Sequence, residues 1–193
     1  MIRIKETFFI AAIFAAFLLG ASGASAQTSK TVEPSFDVVL QTIVASNEAG
    51  AKADVSPALA AVVRKLKTEF AFSNYQLNST YIQRISNRGN AESKSVNYKS
   101  DATNNLPVFS EWSISGVESL LDERGQEMIQ IRNFRFGQRV PVTSAGSTVN
   151  YEAVGLNTIF SLTKNTPTIV GSVATSKSDE LMFVILTVKP AEK

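Results

Sequence analysis

Apolar and polar positions along this chain alternate with a period of two in most segments and with a period near 3.6 in one. The exception spans 56–72. There Leu59, Val62, Val63, Leu66 and Phe70 share a helical face, while Arg64, Lys65, Lys67 and Thr68 lie mostly opposite. Ser56 can cap the free amides, Pro57 stands at the first helical position, and Ser73-Asn74 stops the helix. Segment 36–45 fits both periods, and its β-branched content predicts a strand. Asn47 to Gly50 carries turn chemistry. Tyr75, Leu77 and Tyr81 alternate with polar residues, a turn follows at 87–90, and a return strand holds Val96 and Tyr98. The first half therefore reads β-α-β-β.

Beyond a linker at 100–107 no helical period recurs. Segment 108–117 alternates around Trp112 and Ile114, and 122–125 is a turn. Segment 127–136 changes phase between Ile131 and Phe134, which predicts a bulge near Arg132 and Asn133. Gly137-Gln138 reads as a further turn. Separate alternating runs lie at 149–153 and, after Gly155, at 156–162, and a short strand follows at 168–174. Segment 181–188 is apolar on both faces, so it belongs at the centre of a sheet covered on both sides. The expectation is an α+β chain: an N-terminal β-α-β-β unit at 36–99, then a β-rich unit at 108–193 that forms a sandwich or strongly twisted antiparallel sheet.

The first residues read differently. Arg3 and Lys5 precede an apolar run from Phe8 to Gly20, and Ala24-Ser25-Ala26 precedes Gln27. That is a cleavable secretory signal peptide at 1–26 with its cut after Ala26. The run has 13 residues, whereas a membrane-crossing helix needs about 20. A flexible leader at 27–35 follows. The expected address is periplasmic or secreted, with no stable membrane span in the exported chain. Removing Arg3, Lys5 and Glu6 from 19 basic and 17 acidic residues leaves 17 and 16, net +1. Such balance gives no field to steer toward nucleic acid.

The chain holds no Cys and no His. Disulfides, thiolate nucleophiles, Cys-ligated metals and imidazole bases are thereby excluded. Asp122-Glu123 and Asp179-Glu180 are carboxylate pairs in turn-like segments, where a solvated charge is the default. Ser93-Lys94-Ser95 and Ser176-Lys177-Ser178 place Ser and Lys on opposite strand faces, so they do not converge. The reading is a non-enzymatic protein with no cofactor. Its oligomeric state stays open.

One segment carries a resemblance. Phe136-Gly137-Gln138-Arg139-Val140-Pro141-Val142 is followed by Val149-Asn150-Tyr151-Glu152-Ala153-Val154-Gly155-Leu156. This resembles the start of the secretin domain of type II and III secretion and pilus proteins, where a G-x-x-V-P-V strand precedes a V-x-Y-x-x-V-G-L strand. The end of the chain, Glu180-Leu181 through Thr187-Val188-Lys189-Pro190, is similar to that domain's E-L-x-x-x-x-T-P close. The resemblance spans 132–189. Only 24 residues separate Leu156 from Leu181, against about 9–11 per membrane-crossing strand. The resemblance therefore implies a soluble or accessory relative of secretin-type components, whose partner is another envelope protein of a secretion or pilus system.

Two surfaces follow. For protein contacts, the candidate sheet edges are Arg139, Val140, Pro141 and Val142, which Pro141 confines to an edge or bulge, and Thr168, Ile169 and Val170. The alternative is an envelope glycan or small-molecule binder using Trp112, Tyr151 and the Arg64, Lys65 and Lys67 face, with Arg84 and Arg88 as further cations.

Overall fold

The computed structural model describes residues 33–48, 55–98, 106–143 and 149–191. The signal peptide at 1–26, the leader through residue 32 and most of the linker at 100–107 lie outside the described residues. Among the described residues, eight strands and one helix follow in order. They are β1 (Ser35–Ser46), a 3₁₀ turn (Pro57–Leu59) running into α1 (Ala60–Glu69), β2 (Asn74–Ser86), β3 (Asn90–Tyr98), β4 (Pro107–Leu121), β5 (Glu127–Thr143), β6 (Val149–Thr163), β7 (Thr168–Ala174) and β8 (Glu180–Pro190). Every pairing is antiparallel. One sheet has the order β2-β1-β8-β7 and the other β3-β4-β5-β6. The fold is α+β and rich in sheet.

Pairings cross the segment at 100–107. β1 and β2 share a sheet with β7 and β8, and β3 joins β4 to β6. Glu33–Lys193 is accordingly one compact unit. The hydrogen-bonded neighbours β1 and β8 are far apart in sequence, which a reading of local pattern does not reveal.

The two sheets face each other across one core. Phe36, Val38, Leu40, Val184, Leu186 and Val188 of the first sheet meet Trp112, Ile114, Ile129, Ile131, Phe134 and Phe136 of the second. A second core lies on the other face of the first sheet, where Leu59, Val62 and Leu66 cover Ile43, Ala45, Tyr75, Phe183 and Ile185. Each such aliphatic side chain fully withdrawn from water contributes about 1.5–3 kcal/mol. β8 serves both cores: Met182, Val184, Leu186 and Val188 point one way, Phe183 and Ile185 the other. That double duty is why 181–188 is apolar on both faces.

The Ser56 hydroxyl accepts from the Ala58 amide at 3.4 Å, as expected of the cap. The helix is shorter than expected. It ends at Glu69, and Phe70 turns extended to set its ring against Phe183, centroids 4.8 Å apart. The bulge near Arg132 and Asn133 is present as a register shift between Ile131 and Phe134. Gly137-Gln138 is no turn and Gly155 no break: both lie inside continuous strands, paired with each other as Gly137↔Gly155. A glycine in a strand marks close backbone approach as readily as a turn.

Candidate interaction surface

The structure scatters the aromatic and basic candidates. Trp112 is 2% exposed, packs in the central core and lies 6.4 Å from the Tyr81 ring, so it offers no face to a ligand. Alternation along β4 aims it inward with Ser110 and Ile114. Its indole N–H has no hydrogen-bond partner among the described residues. Arg64, Lys65 and Lys67 stay exposed on α1, Lys65 at 3.9 Å from Glu69 and Lys67 5.9 Å from the Tyr75 ring centre. Arg84 forks onto Asp37 at 2.7 and 3.0 Å, which holds that carboxyl below its usual range. Arg88 turns to Glu118. The five cations therefore do not converge.

One member of each carboxylate pair makes structural contacts. Asp122 Oδ1 accepts from the Arg124 and Gln126 amides at 2.8 and 2.7 Å, closing its turn. Glu180 is 9% exposed and paired with Lys177, which also reaches Glu48 at 2.8 Å. No group of three or more Asp or Glu side chains among the described residues could hold a metal ion.

The outer face of the second sheet carries a trough that sequence reasoning missed. Opposed Gly137 and Gly155 leave its floor as bare backbone. Phe109 and Tyr151 wall one side, rings edge to face at 5.6 Å, with Arg139 beside them. Lys94, Glu111, Arg135 and Asn157 wall the other, and Arg135 reaches Glu111 at 3.5 Å. The cleft measures about 990 Å³. A floor of peptide planes with aromatic and cationic walls suits a flat or extended group. The signal that could have found it was two glycines 18 positions apart on strands that pair.

Of the edge candidates, Arg139 to Val142 lies in an inner strand whose β4 side is open past Arg139. β5 runs between β4 and β6, and this stretch pairs with Ala153 to Asn150. Pro141 is tolerated because β4 pairing has already ended at Phe109↔Arg139. Thr168, Ile169 and Val170 do lie on an edge, the outer side of β7. That edge is seven residues long and interrupted by a register shift between Ile169 and Gly171.

β6 is the edge left without such protection. It runs 15 residues with one charge, Glu152, no proline and no extra residue against β5. β2 has an extra residue at Asn78, and β3 is shorter and carries Glu92 and Lys94. Native edges are usually blunted by charge, proline, bulges or shortness, so a long neutral one offers its N–H and C=O row to another strand. Its inward side chains Val154, Leu156 and Phe160 pack on the core only in part, and Ile159 on the outer face is 70% exposed.

The chain is similar to secretin structures. With the type III injectisome secretin InvG of Salmonella it shares 10% identity and a TM-score of 0.41, over 99% of this chain and 66% of that one. With the type II secretin GspD of enteropathogenic Escherichia coli the values are 10% and 0.39, over 83% and 67%. With the competence pilus secretin PilQ of V. cholerae they are 9% and 0.35, over 83% and 58%. The chain thus spans roughly two thirds of these secretin chains or less. No family model and no curated protein matches it.

Two of the three secretin-like motifs lie in the strands of the surface just described, and the third is a central strand of the other sheet. Phe136 to Val142 lies in β5, Val149 to Leu156 in β6, and Glu180 to Pro190 is β8. No helix among the described residues is long and apolar enough to cross a membrane.

Proposed function

We propose that this protein is an exported, non-enzymatic component of the cell envelope that acts by adding its sheet edge to another protein of a secretion or pilus assembly. The signal peptide at 1–26 provides the route. The observation that carries the reading is β6: 15 residues of edge strand with a single charge and a half-covered apolar row. The motif resemblance at 132–189 supports the kind of assembly. The test is affinity capture from envelope extract with the tagged protein and with an Asn157→Lys/Ile159→Lys variant, which charges the edge. A secretion or pilus component held by the first and lost from the second is expected. Capture of no such component, or equal capture by both, refutes the reading.

The trough favours a second reading, a module for a flat or extended envelope ligand such as a glycan, using Tyr151, Phe109 and the Gly137/Gly155 floor in place of Trp112. Glycan-array binding that Tyr151→Ala abolishes would select it.

A further inference from the structure

Resting on the same open edge as the reading above but giving it a different occupant, with which an envelope partner would have to compete, we propose that β6 pairs with β6 of a second copy of this chain, antiparallel about a two-fold axis at Thr158. The apolar row sets the symmetry. Val154, Leu156 and Phe160 face the core and are only partly covered at the open flank of the sandwich. An antiparallel partner continues that core only if its own row falls on the same side of the joined sheet. With a two-fold axis normal to the sheet, this requires one residue to stand opposite its own copy, because side chains alternate faces.

Charge then selects the residue. Glu152 is exposed and has no ion pair among the described residues. Lys164, the first residue past β6, is the nearest cation in sequence and meets Glu127 at 2.7 Å. Centring the pair on Leu156 sets Glu152 against Phe160 of the second copy. Centring it on Phe160 carries Glu152 past the strand end. Centring it on Thr158 sets Glu152 against Lys164 of the second copy, at both ends of the interface at once. The same register places Val154 against Leu162 and Leu156 against Phe160, extending the inner row. On the outer face it places Ile159 against Asn157, with no like charges opposed. The two second sheets become one continuous sheet of eight strands, and the exposed edge is consumed.

The absence of Cys makes the register directly testable. Opposed residues in an antiparallel pair stand about 4.5–5.5 Å apart at Cα, within the roughly 4.4–6.8 Å a disulfide spans. Residue 158 faces its own copy. Residue 161 lies about 20 Å from its copy, at roughly 3.4 Å per residue. The exported protein should therefore show twice the chain mass by light scattering. Thr158→Cys should form a covalent dimer under mild oxidation and Ser161→Cys should not. Asn157→Lys/Ile159→Lys should weaken self-association at least about tenfold with unchanged far-UV circular dichroism. A monomeric mass, a mass well above the dimer, or equal cross-linking by both cysteine variants overturns the proposal. If the protein is monomeric yet its edge-dependent capture of an envelope component persists, self-pairing is wrong and the edge reading stands. If mass and capture are both insensitive to the edge charges, both are wrong.

Discussion

Arg132 lies over Gly116. A β-carbon on Gly116 would come within 2.8 Å of the Arg132 Cβ, and the glycine already has φ of +65°. Across this gap the Arg132 guanidinium reaches Glu118, donating from Nε at 2.9 Å, while Arg88 of the β2–β3 turn donates to the other carboxylate oxygen at 3.1 Å. The Arg88 amide bonds the Val117 carbonyl at 2.9 Å, and the Gly116 amide the Gly89 carbonyl at 3.1 Å. One buried carboxylate thus ties the β2–β3 turn to facing irregularities in β4 and β5.

Glu118 should make stability depend on pH. Hydrogen bonding to Arg132, then to Arg88, holds its carboxyl below the usual range despite burial. A depressed folded value means that its contribution is whole above the ordinary glutamate range and is lost as pH falls through the folded value. Urea melts across mildly to strongly acidic pH should lose part of their slope in Glu118→Gln. An identical pH profile for the variant would show that the clamp is not what titrates.

Gly116→Ala should destabilise more than Gly125→Ala. Both glycines have positive φ, at 65° and 75°, so both substitutions carry the left-handed cost of about 1–2 kcal/mol. Nothing lies within 4 Å of a β-carbon on Gly125, whereas on Gly116 it meets Arg132. The difference between the two melting temperatures isolates the packing against Arg132. Equal losses would mean that the arginine swings aside freely.

Trp112→Ala should cost about 3–5 kcal/mol in chemical denaturation. Trp112→Phe should cost much less, because it removes a buried N–H that has no partner, a group worth about 1–3 kcal/mol of penalty. The chain has one tryptophan, so its emission reports the core alone. Adding sugars should leave that emission blue-shifted and unchanged. A glycan-dependent shift would return Trp112 to the surface.

What could be read from sequence, and what could not, follows from how local each signal is. The two-faced apolar run of β8 announced a strand between two layers, because its apolar side chains divide between the two cores. Ser56 and Pro57 announced the start of the helix through their own backbone chemistry. The bulge near Arg132 showed as a phase change within a few residues. Gly137 and Gly155 misled, since a lone glycine has the same appearance in a turn as in a strand pressed against its neighbour. Trp112 left its face undecided, although parity with Ile114 pointed inward. The joining of β1 to β8 leaves no local trace, and neither does the bare edge of β6, which exists only once the sheet order is known.

The paired glycines give the sharpest contrast within one short stretch. A β-carbon on Gly137 would meet Glu111 at 3.6 Å, an ordinary contact, and its backbone is extended. Gly137→Ala should therefore hold or raise stability, since glycine in a strand gives up about 0.5–1 kcal/mol to alanine. A β-carbon on Gly155 would overlap the Phe136 carbonyl oxygen and stand 3.0 Å from the Gly137 Cα. Backbone cannot move aside as a flexible side chain does, so Gly155→Ala should cost about 1–3 kcal/mol. Opposite signs from two glycines that face each other would establish that β5 and β6 press together at the trough floor. Gly137→Ala also raises the floor without unfolding the sheet. It should leave β6 pairing intact while abolishing any ligand binding in the trough, which separates the two proposed uses of this surface in one variant. Loss of edge pairing in folded Gly137→Ala would instead mean that partner and trough are one site.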